Sequence, residues 1–230
     1  MALLSEQDRQ TLRAHLAEIA DPVTLLFFTQ TIGGPETALI TKQILDEITE
    51  LSDHVSIEEV NFILEKDRAA TLGITDVPAI AVLKRDVDTR IRFLGAPAGY
   101  EFISLIEAII LASGKDSGLS LESKTLIAEH VAEPLDIKVF VTPTCPHCPR
   151  AVTLAHRMAF EHPLIHATCI EATEFMDLSR QYRVTGVPKT IVNGTIEILG
   201  AVPEETFVRT VLQRPAHTSD AEQPETATTE

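Results

Sequence analysis

The 230 residues carry 34 acidic against 19 basic side chains, a formal net charge of −15, and without a basic stripe such a chain repels phosphate backbones, which excludes nucleic acid as a partner. Apolar residues make up 44% and charged residues 23%, ordinary proportions for one or two globular domains. The most apolar run, Phe102 to Ser113, contains Glu107 and is shorter than the roughly 20 residues of a membrane span; no signal peptide is visible, so a soluble, cytoplasmic chain is expected.

In chain order the pattern alternates helix and strand. Ser5 with Asp8 three residues on resembles a capping box, and Leu12, Leu16 and Ile19 follow at helical spacing until Asp21-Pro22. Val23 to Thr29 is a nearly continuous apolar run, as expected of a buried strand. After a Gly33-Gly34-Pro35 turn, Leu39, Ile40, Ile44, Leu45 and Ile48 form a helical stripe. Val55 to Ile63 reads as a strand, Asp67 to Leu72 as a short helix, Ala79 to Leu83 and Arg90 to Phe93 as strands, and Gly99 to Ser113 as a closing helix. The grammar then repeats: a helix over Leu121 to Val131, a strand over Ile137 to Thr142, a helix over Pro146 to Phe160, a strand over Leu164 to Ile170 and a helix over Glu174 to Tyr182. Lys189 to Asn193 and Thr195 to Leu199 pair through Asn193-Gly194, a strong hairpin signal, and Glu204 to Leu212 is the last helix.

The repeat is visible in residues too. Leu72-Gly-Ile-Thr-Asp-Val-Pro78 answers Tyr182-Arg-Val-Thr-Gly-Val-Pro188, and Phe93-Leu-Gly-Ala answers Ile198-Leu-Gly-Ala. Phe28-Thr-Gln-Thr31 answers Val141-Thr-Pro-Thr144, which sets Ile32-Gly33-Gly34-Pro35 where the second half has Cys145-Pro146-His147-Cys148. A Gly/Ser/Asp cluster over residues 113–118 marks the joint. The sequence therefore divides into residues 1–115, residues 116–213, and an acidic, disordered tail over 214–230 that has no large apolar residue to bury.

There are three cysteines, Cys145, Cys148 and Cys169, an odd and small number for a disulfide-stapled scaffold. Cys145 follows a buried strand directly, and Pro146 suits the first position of the next helix. The amides and macrodipole at that helix end would lower the pKa of Cys145 and supply a thiolate. Cys148, one turn inward, is placed to attack a mixed disulfide on Cys145, and His147 adds a potential cation that would make the disulfide more oxidising. The other readings are a zinc site recruiting His156, His162 and His166, whose irregular spacing and missing second C-x-x-C weigh against it, and a pair of plain core cysteines. No metal is expected. Cys169 reads as a small buried hydrophobe within a strand, a regulatory thiol being the alternative, and His166 as a surface strand residue. Val77-Pro78 and Val187-Pro188 both precede strands; a cis bond in a tight turn would expose backbone groups to an extended peptide, and an ordinary trans proline at an edge is the alternative.

Lys138-Val-Phe-Val-Thr-Pro-Thr-Cys-Pro-His-Cys-Pro149, Gln181-Tyr-Arg-Val-Thr-Gly-Val-Pro-Lys189 and Arg92-Phe-Leu-Gly-Ala-Pro-Ala-Gly-Tyr-Glu-Phe102 together resemble the thioredoxin/glutaredoxin fold, and specifically the protein disulfide oxidoreductases of two fused thioredoxin folds. The same series is similar to the N-terminal domain of the alkyl hydroperoxide reductase flavoprotein. The resemblance implies an α/β chain of two tandem thioredoxin-like folds, each a central mixed sheet flanked by helices. It implies a redox-active disulfide of Cys145 and Cys148 with Pro146 and His147 between them, Pro188 as the cis-proline beside it, and Val187 and Pro188 as the substrate-binding edge. It also singles out Glu101 as an acid near the dithiol that could accept the Cys148 proton, a solvated helix residue being the alternative; single-unit thioredoxins carry an acid where Val139 stands here. The family's archaeal-type members have two dithiols, and the first half here has no sulfur, so it is expected to buttress the second half and shape its substrate face.

The expected activity is thiol–disulfide exchange with protein disulfides, without a cofactor of its own, since no flavin or nicotinamide fingerprint is present. The alternatives are an electron shuttle from a flavin reductase to a peroxidase, and a peptide-binding module without turnover. The expected partners are protein disulfides and a thioredoxin reductase-like flavoenzyme or a peroxiredoxin.

Overall fold

Ser5 starts the first helix as its sequence requires: its Oγ accepts from the Asp8 amide at 3.2 Å while the Asp8 carboxylate accepts from the Ser5 amide at 3.3 Å, a closed capping box. The computed structural model describes residues 3–30 and 33–213; Ile32 and the expected tail over 214–230 lie outside the described residues. The elements are α1 (Glu6–Leu16), β1 (Val23–Thr29), α2 (Thr37–Thr49), β2 (Val55–Asn61), α3 (Lys66–Thr71), β3 (Ala79–Lys84), β4 (Val87–Leu94) and α4 (Glu101–Ser113), then α5 (Leu121–His130), β5 (Leu135–Val141), α6 (Cys148–Glu161), β6 (Ile165–Glu171), α7 (Met176–Gln181), β7 (Lys189–Val192), β8 (Ile196–Leu199) and α8 (Glu204–Val211). Each half is a thioredoxin-like unit with the strand order outer, first, third, fourth, and the β7–β8 turn has positive φ at both Asn193 (48°) and Gly194 (74°), the backbone that a two-residue hairpin needs.

Three local expectations are corrected. Ile19 is buried but lies beyond α1, which ends at Leu16. Leu39 and Ile40 of the α2 stripe are 76% and 45% exposed, because α2 turns Thr41, Ile44, Leu45, Glu47 and Ile48 inward instead. Glu47 is held there by the Leu3 and Leu4 amides at 2.6 and 3.0 Å, which satisfy a carboxylate that burial would otherwise penalise. The helix after the dithiol begins at Cys148, not at Pro146.

The sequence does not announce that the two sheets are one. The order is β2-β1-β3-β4-β6-β5-β7-β8, and the seam is a parallel pairing of β4 with β6, Ile91 to Leu94 against Ala167 to Ile170. One face carries the larger core, with Phe93, Val139, Cys145, Cys148 and Cys169 in it alongside α4 and α6 residues. The opposite face carries a smaller core with Phe140, Ile170 and Ile191 under α3 and α7. The alternation along β6, Ala167 and Cys169 to one side and Ile170 to the other, is the period of two that a strand imposes.

The first unit grips the helix that follows the dithiol. Arg90, with φ of 64° beside the irregular step in the β3–β4 ladder, donates from Nε and Nη2 to the Ala159 carbonyl at 3.1 and 2.8 Å. A guanidinium on the last turn of α6 satisfies an end carbonyl and complements the macrodipole.

Candidate functional site

At the end of β5 the chain turns sharply, the Cys145 amide donating to the Thr142 carbonyl at 3.1 Å. Cys145 and Cys148 are joined by a disulfide with Cα atoms 5.5 Å apart. Cys145 keeps 9% exposure and Cys148 none, while Pro146 and His147 between them are exposed. His147 is the N-cap of α6, without a side-chain cap, and Pro149 occupies the first turn. Pro149, not Pro146, therefore takes the place where a missing amide is harmless. Cys145 stands three residues ahead of the first helical residue, so it feels the positive end of α6 rather than sitting on its cap.

The Val187–Pro188 bond is cis, as is Val77–Pro78 in the first unit. β7 runs antiparallel to β5 with Lys189 opposite Phe140; continuing that register sets Pro188 across from Val141, where β5 gives out into the dithiol loop. The Pro188 carbonyl accepts from the Gly200 amide and the Pro78 carbonyl from the Gly95 amide, both at 2.8 Å. That shared bond is the physical content of the repeated Leu-Gly-Ala motif. Val187, on the other side of the cis bond, is half-buried and packs on both cores.

Glu101 opens α4 and is 1% exposed. Its Oε2 accepts from Ser104 Oγ at 2.7 Å and from Cys169 Sγ at 3.6 Å, the longer distance suiting a sulfur donor. Its other oxygen, Oε1, has no partner among the described residues. Burial pushes its pKa up to about 7, the two donors pulling the other way. Cys169 lies on β6 between Phe93 of β4 and Val139 of β5 in one in-register row. The carboxyl from the first unit thus reaches the row on which single-unit thioredoxins mount their acid. Its direct partners are Ser104 and Cys169 rather than Cys148; it shares the core face with Cys148 through that row. Cys169 is buried as expected, but it is a donor as well as a hydrophobe, and burial with the neighbouring carboxylates holds it as a thiol by pushing its pKa up.

Three further residues are not legible in the sequence. Gly99 has φ of +60°, and a Cβ there would stand 2.2 Å from the Pro143 carbonyl oxygen. The adjacent Tyr100 amide donates to that same oxygen at 2.9 Å, so the first unit clasps the loop two residues before Cys145. Gly99→Ala is expected to destabilise the fold by about 1–3 kcal/mol through αL strain and the forced displacement of Pro143. It is also expected to move the reduction potential of the dithiol, read by equilibration against glutathione; an unchanged potential would mean that the clasp does not bear on the disulfide. His156, eight residues after Cys148, packs edge-on against Phe93 with centroids 5.1 Å apart and is 2% exposed. Among the described residues neither ring nitrogen has a hydrogen bond of good geometry, and burial pushes its pKa down to about 3, the Arg92 backbone pulling the other way. The other histidines weighed as ligands lie elsewhere: His162 Nδ1 accepts from the Leu164 amide at 3.3 Å, and His166 is exposed.

The thioredoxin domain model matches residues 135–213, the part that carries the dithiol. The alkyl hydroperoxide reductase AhpF of Escherichia coli K12 is 27% identical over 194 residues, 84% of this chain and 34% of that protein; the chain spans about a third of the length of the curated relatives it matches. The N-terminal domain of AhpF from Enterococcus faecalis superposes with a TM-score of 0.84 at 25% identity, covering 90% of this chain and 99% of that one. A protein disulfide oxidoreductase from Aeropyrum pernix K1 superposes with a TM-score of 0.82 at 30% identity, over 90% of this chain and 92% of that one. With its paired thioredoxin-like units and disulfide-bonded Cys145-Pro146-His147-Cys148, the chain belongs to the thioredoxin-like thiol–disulfide oxidoreductases, and in its two fused folds it is similar both to the protein disulfide oxidoreductase and to the AhpF N-terminal domain.

Proposed function

We propose that this chain reduces protein disulfides in the cytoplasm through the single Cys145–Cys148 dithiol, residues 1–115 acting as a buttress and residues 116–213 as the redox unit. The observation that carries the reading is the disulfide at the start of α6, with Cys145 partly accessible and Cys148 enclosed. In the reduced protein, Cys145 thiolate attacks one sulfur of a substrate disulfide, and the other leaves as a thiolate. Cys148 then gives its proton to Glu101, attacks Cys145 Sγ and releases the second substrate thiolate. Two electrons pass to the substrate and the Cys145–Cys148 disulfide remains, to be reduced again by an external dithiol or a flavoenzyme. Val187 and Pro188 form the edge that holds the substrate main chain.

Glu101 suits the base role because its proton affinity lies near neutrality and Oε1 has an open lone pair. Glu101→Gln should preserve the fold and slow resolution of the mixed disulfide at pH 7 by roughly tenfold or more. The deficit should shrink as pH rises and Cys148 ionises unaided. Rapid mixing from pH 6 to 9 reads this; identical rates throughout would remove Glu101 from the mechanism.

The similarity to the AhpF N-terminal domain favours a second reading, transfer of electrons from a flavin reductase to a peroxiredoxin. Insulin reduction with dithiothreitol tests for catalysis, and silence there would leave a peptide-binding module. Turnover coupled to a thioredoxin reductase or to a peroxiredoxin then separates the two enzymes.

A further inference from the structure

We propose that Cys169, a thiol outside the disulfide chemistry, is a positioning residue that fixes the Glu101 carboxyl against the dithiol face and holds it in its base form by donating S–H to Oε2. The inference rests on Glu101 being the proton acceptor, and it adds the residue that decides when Glu101 can accept.

The geometry leaves Cys169 a narrow role. It is 3% exposed, in register with Phe93 on one side and Val139 on the other, and shares its core with Cys145 and Cys148. The Glu101 carboxyl comes from α4 of the other unit, and two donors fix Oε2: Ser104 from its own helix and Cys169 from β6. Ser104 alone would anchor the carboxyl to α4. Among the described residues, Cys169 is the donor that ties it to the sheet that carries the redox unit. With Oε2 doubly held, Oε1 is the oxygen left without a partner among the described residues. A donor to a carboxylate stabilises its charged form, so the thiol opposes the burial that drives Glu101 toward the neutral acid. Burial, Glu101 and Glu171 keep Cys169 protonated, so it remains a donor at the pH where the dithiol works.

Few other charges bear on this pair. On β6 it is Glu171, which is 4% exposed and engaged by Thr173 Oγ1 and the Glu174 amide. On α6 it is the dithiol itself and His156, which burial keeps neutral and which packs on Phe93 in the same row. On β3, against which α4 also packs, Lys84 is paired with Asp21, and the charged groups of β4, Arg90, Arg92 and Asp88, are engaged with one another and with backbone carbonyls. Among the described residues, the hydrogen bonds to the carboxyl come from Ser104 and the Cys169 thiol rather than from any of these charges.

The test reads Glu101 directly and through the reaction. The side-chain carboxyl carbon of Glu101, identified by its disappearance in Glu101→Gln, is titrated by NMR in the whole chain. In Cys169→Val its midpoint should rise by roughly half to one pH unit, the size one hydrogen bond supplies. In Cys169→Ser, which restores a donor, it should return to the wild-type value or fall below it. The pH profile of mixed-disulfide resolution should move with it. Cys169→Ser also serves if the valine variant folds poorly, since a midpoint clearly above wild type in the serine protein contradicts the donor role. Unchanged midpoints in both variants overturn the proposal. A midpoint that moves while the resolution profile stays still keeps Cys169 as the partner of Glu101 and overturns instead the assignment of Glu101 as the base.

Discussion

Cys145→Ser is expected to abolish disulfide reduction, lowering turnover of insulin with dithiothreitol on the order of a thousandfold or more, while Cys148→Ser stops the reaction halfway. The two outcomes differ because the sulfurs occupy different places. Cys145 is the one a substrate can reach, at 9% exposure, and it lies ahead of α6, whose positive end favours a thiolate. A serine hydroxyl stays protonated at neutral pH and gives no nucleophile. Cys148 is enclosed and is the first residue of the helix, so its removal leaves the first attack intact and strands the substrate on Cys145. A non-reducing gel should then show a mixed disulfide that accumulates with Cys148→Ser and is missing with Cys145→Ser. Near wild-type turnover in Cys145→Ser would overturn the assignment of the nucleophile.

Stability against pH carries the second large effect, because two buried groups act in opposite directions. Glu101 unfolded ionises near 4.5, whereas folded it keeps its proton up to about 7. The folded state therefore binds more protons in that window, so this group's contribution is most favourable below pH 4.5 and is lost as pH rises through 7. The loss reaches on the order of 3 kcal/mol above pH 7, and Glu101→Gln should remove it. His156 runs the other way. Its folded pKa lies near 3 against 6.5 unfolded, so its contribution is complete above 6.5 and is lost as pH falls, on the order of 3 kcal/mol by pH 4. His156→Phe, which keeps an aromatic against Phe93, should remove that loss. Against a typical total of about 5–15 kcal/mol either change is large. The wild-type profile between pH 4.5 and 6.5 should be flatter than that of either variant, since each variant exposes the slope of the remaining group. Urea denaturation from pH 4 to 8 measures this; parallel curves for all three proteins would mean that neither group titrates differently in the folded state.

Much of the fold lies in local chemistry that the sequence carries openly. The Ser5–Asp8 box, the apolar run of β1, the Asn193-Gly194 turn and the repeated Val-Pro and Leu-Gly-Ala motifs each determine their structure within a few residues, so the two thioredoxin-like units are legible without coordinates. The dithiol is legible for the same reason: both sulfurs, the strand before them and the helix after them are contiguous. The start of that helix is less so, because Pro146 and Pro149 both suit a first turn, and only the backbone path decides between them.

What the sequence could not show is held by contacts between residues far apart in the chain. The parallel seam of β4 and β6 joins the two sheets, and no local pattern specifies which edge strands meet. From that seam follow the bond of Cys169 to Glu101, 68 residues away, the Arg90 grip on Ala159 and the Gly99–Tyr100 clasp on Pro143. Glu101 could be suspected from resemblance, but its near-neutral proton affinity comes from burial beneath a second unit. A sequence determines hydrogen bonds that close within a turn or a hairpin; the environment that makes a carboxyl a base, or a histidine neutral, exists only once distant elements have packed and excluded water.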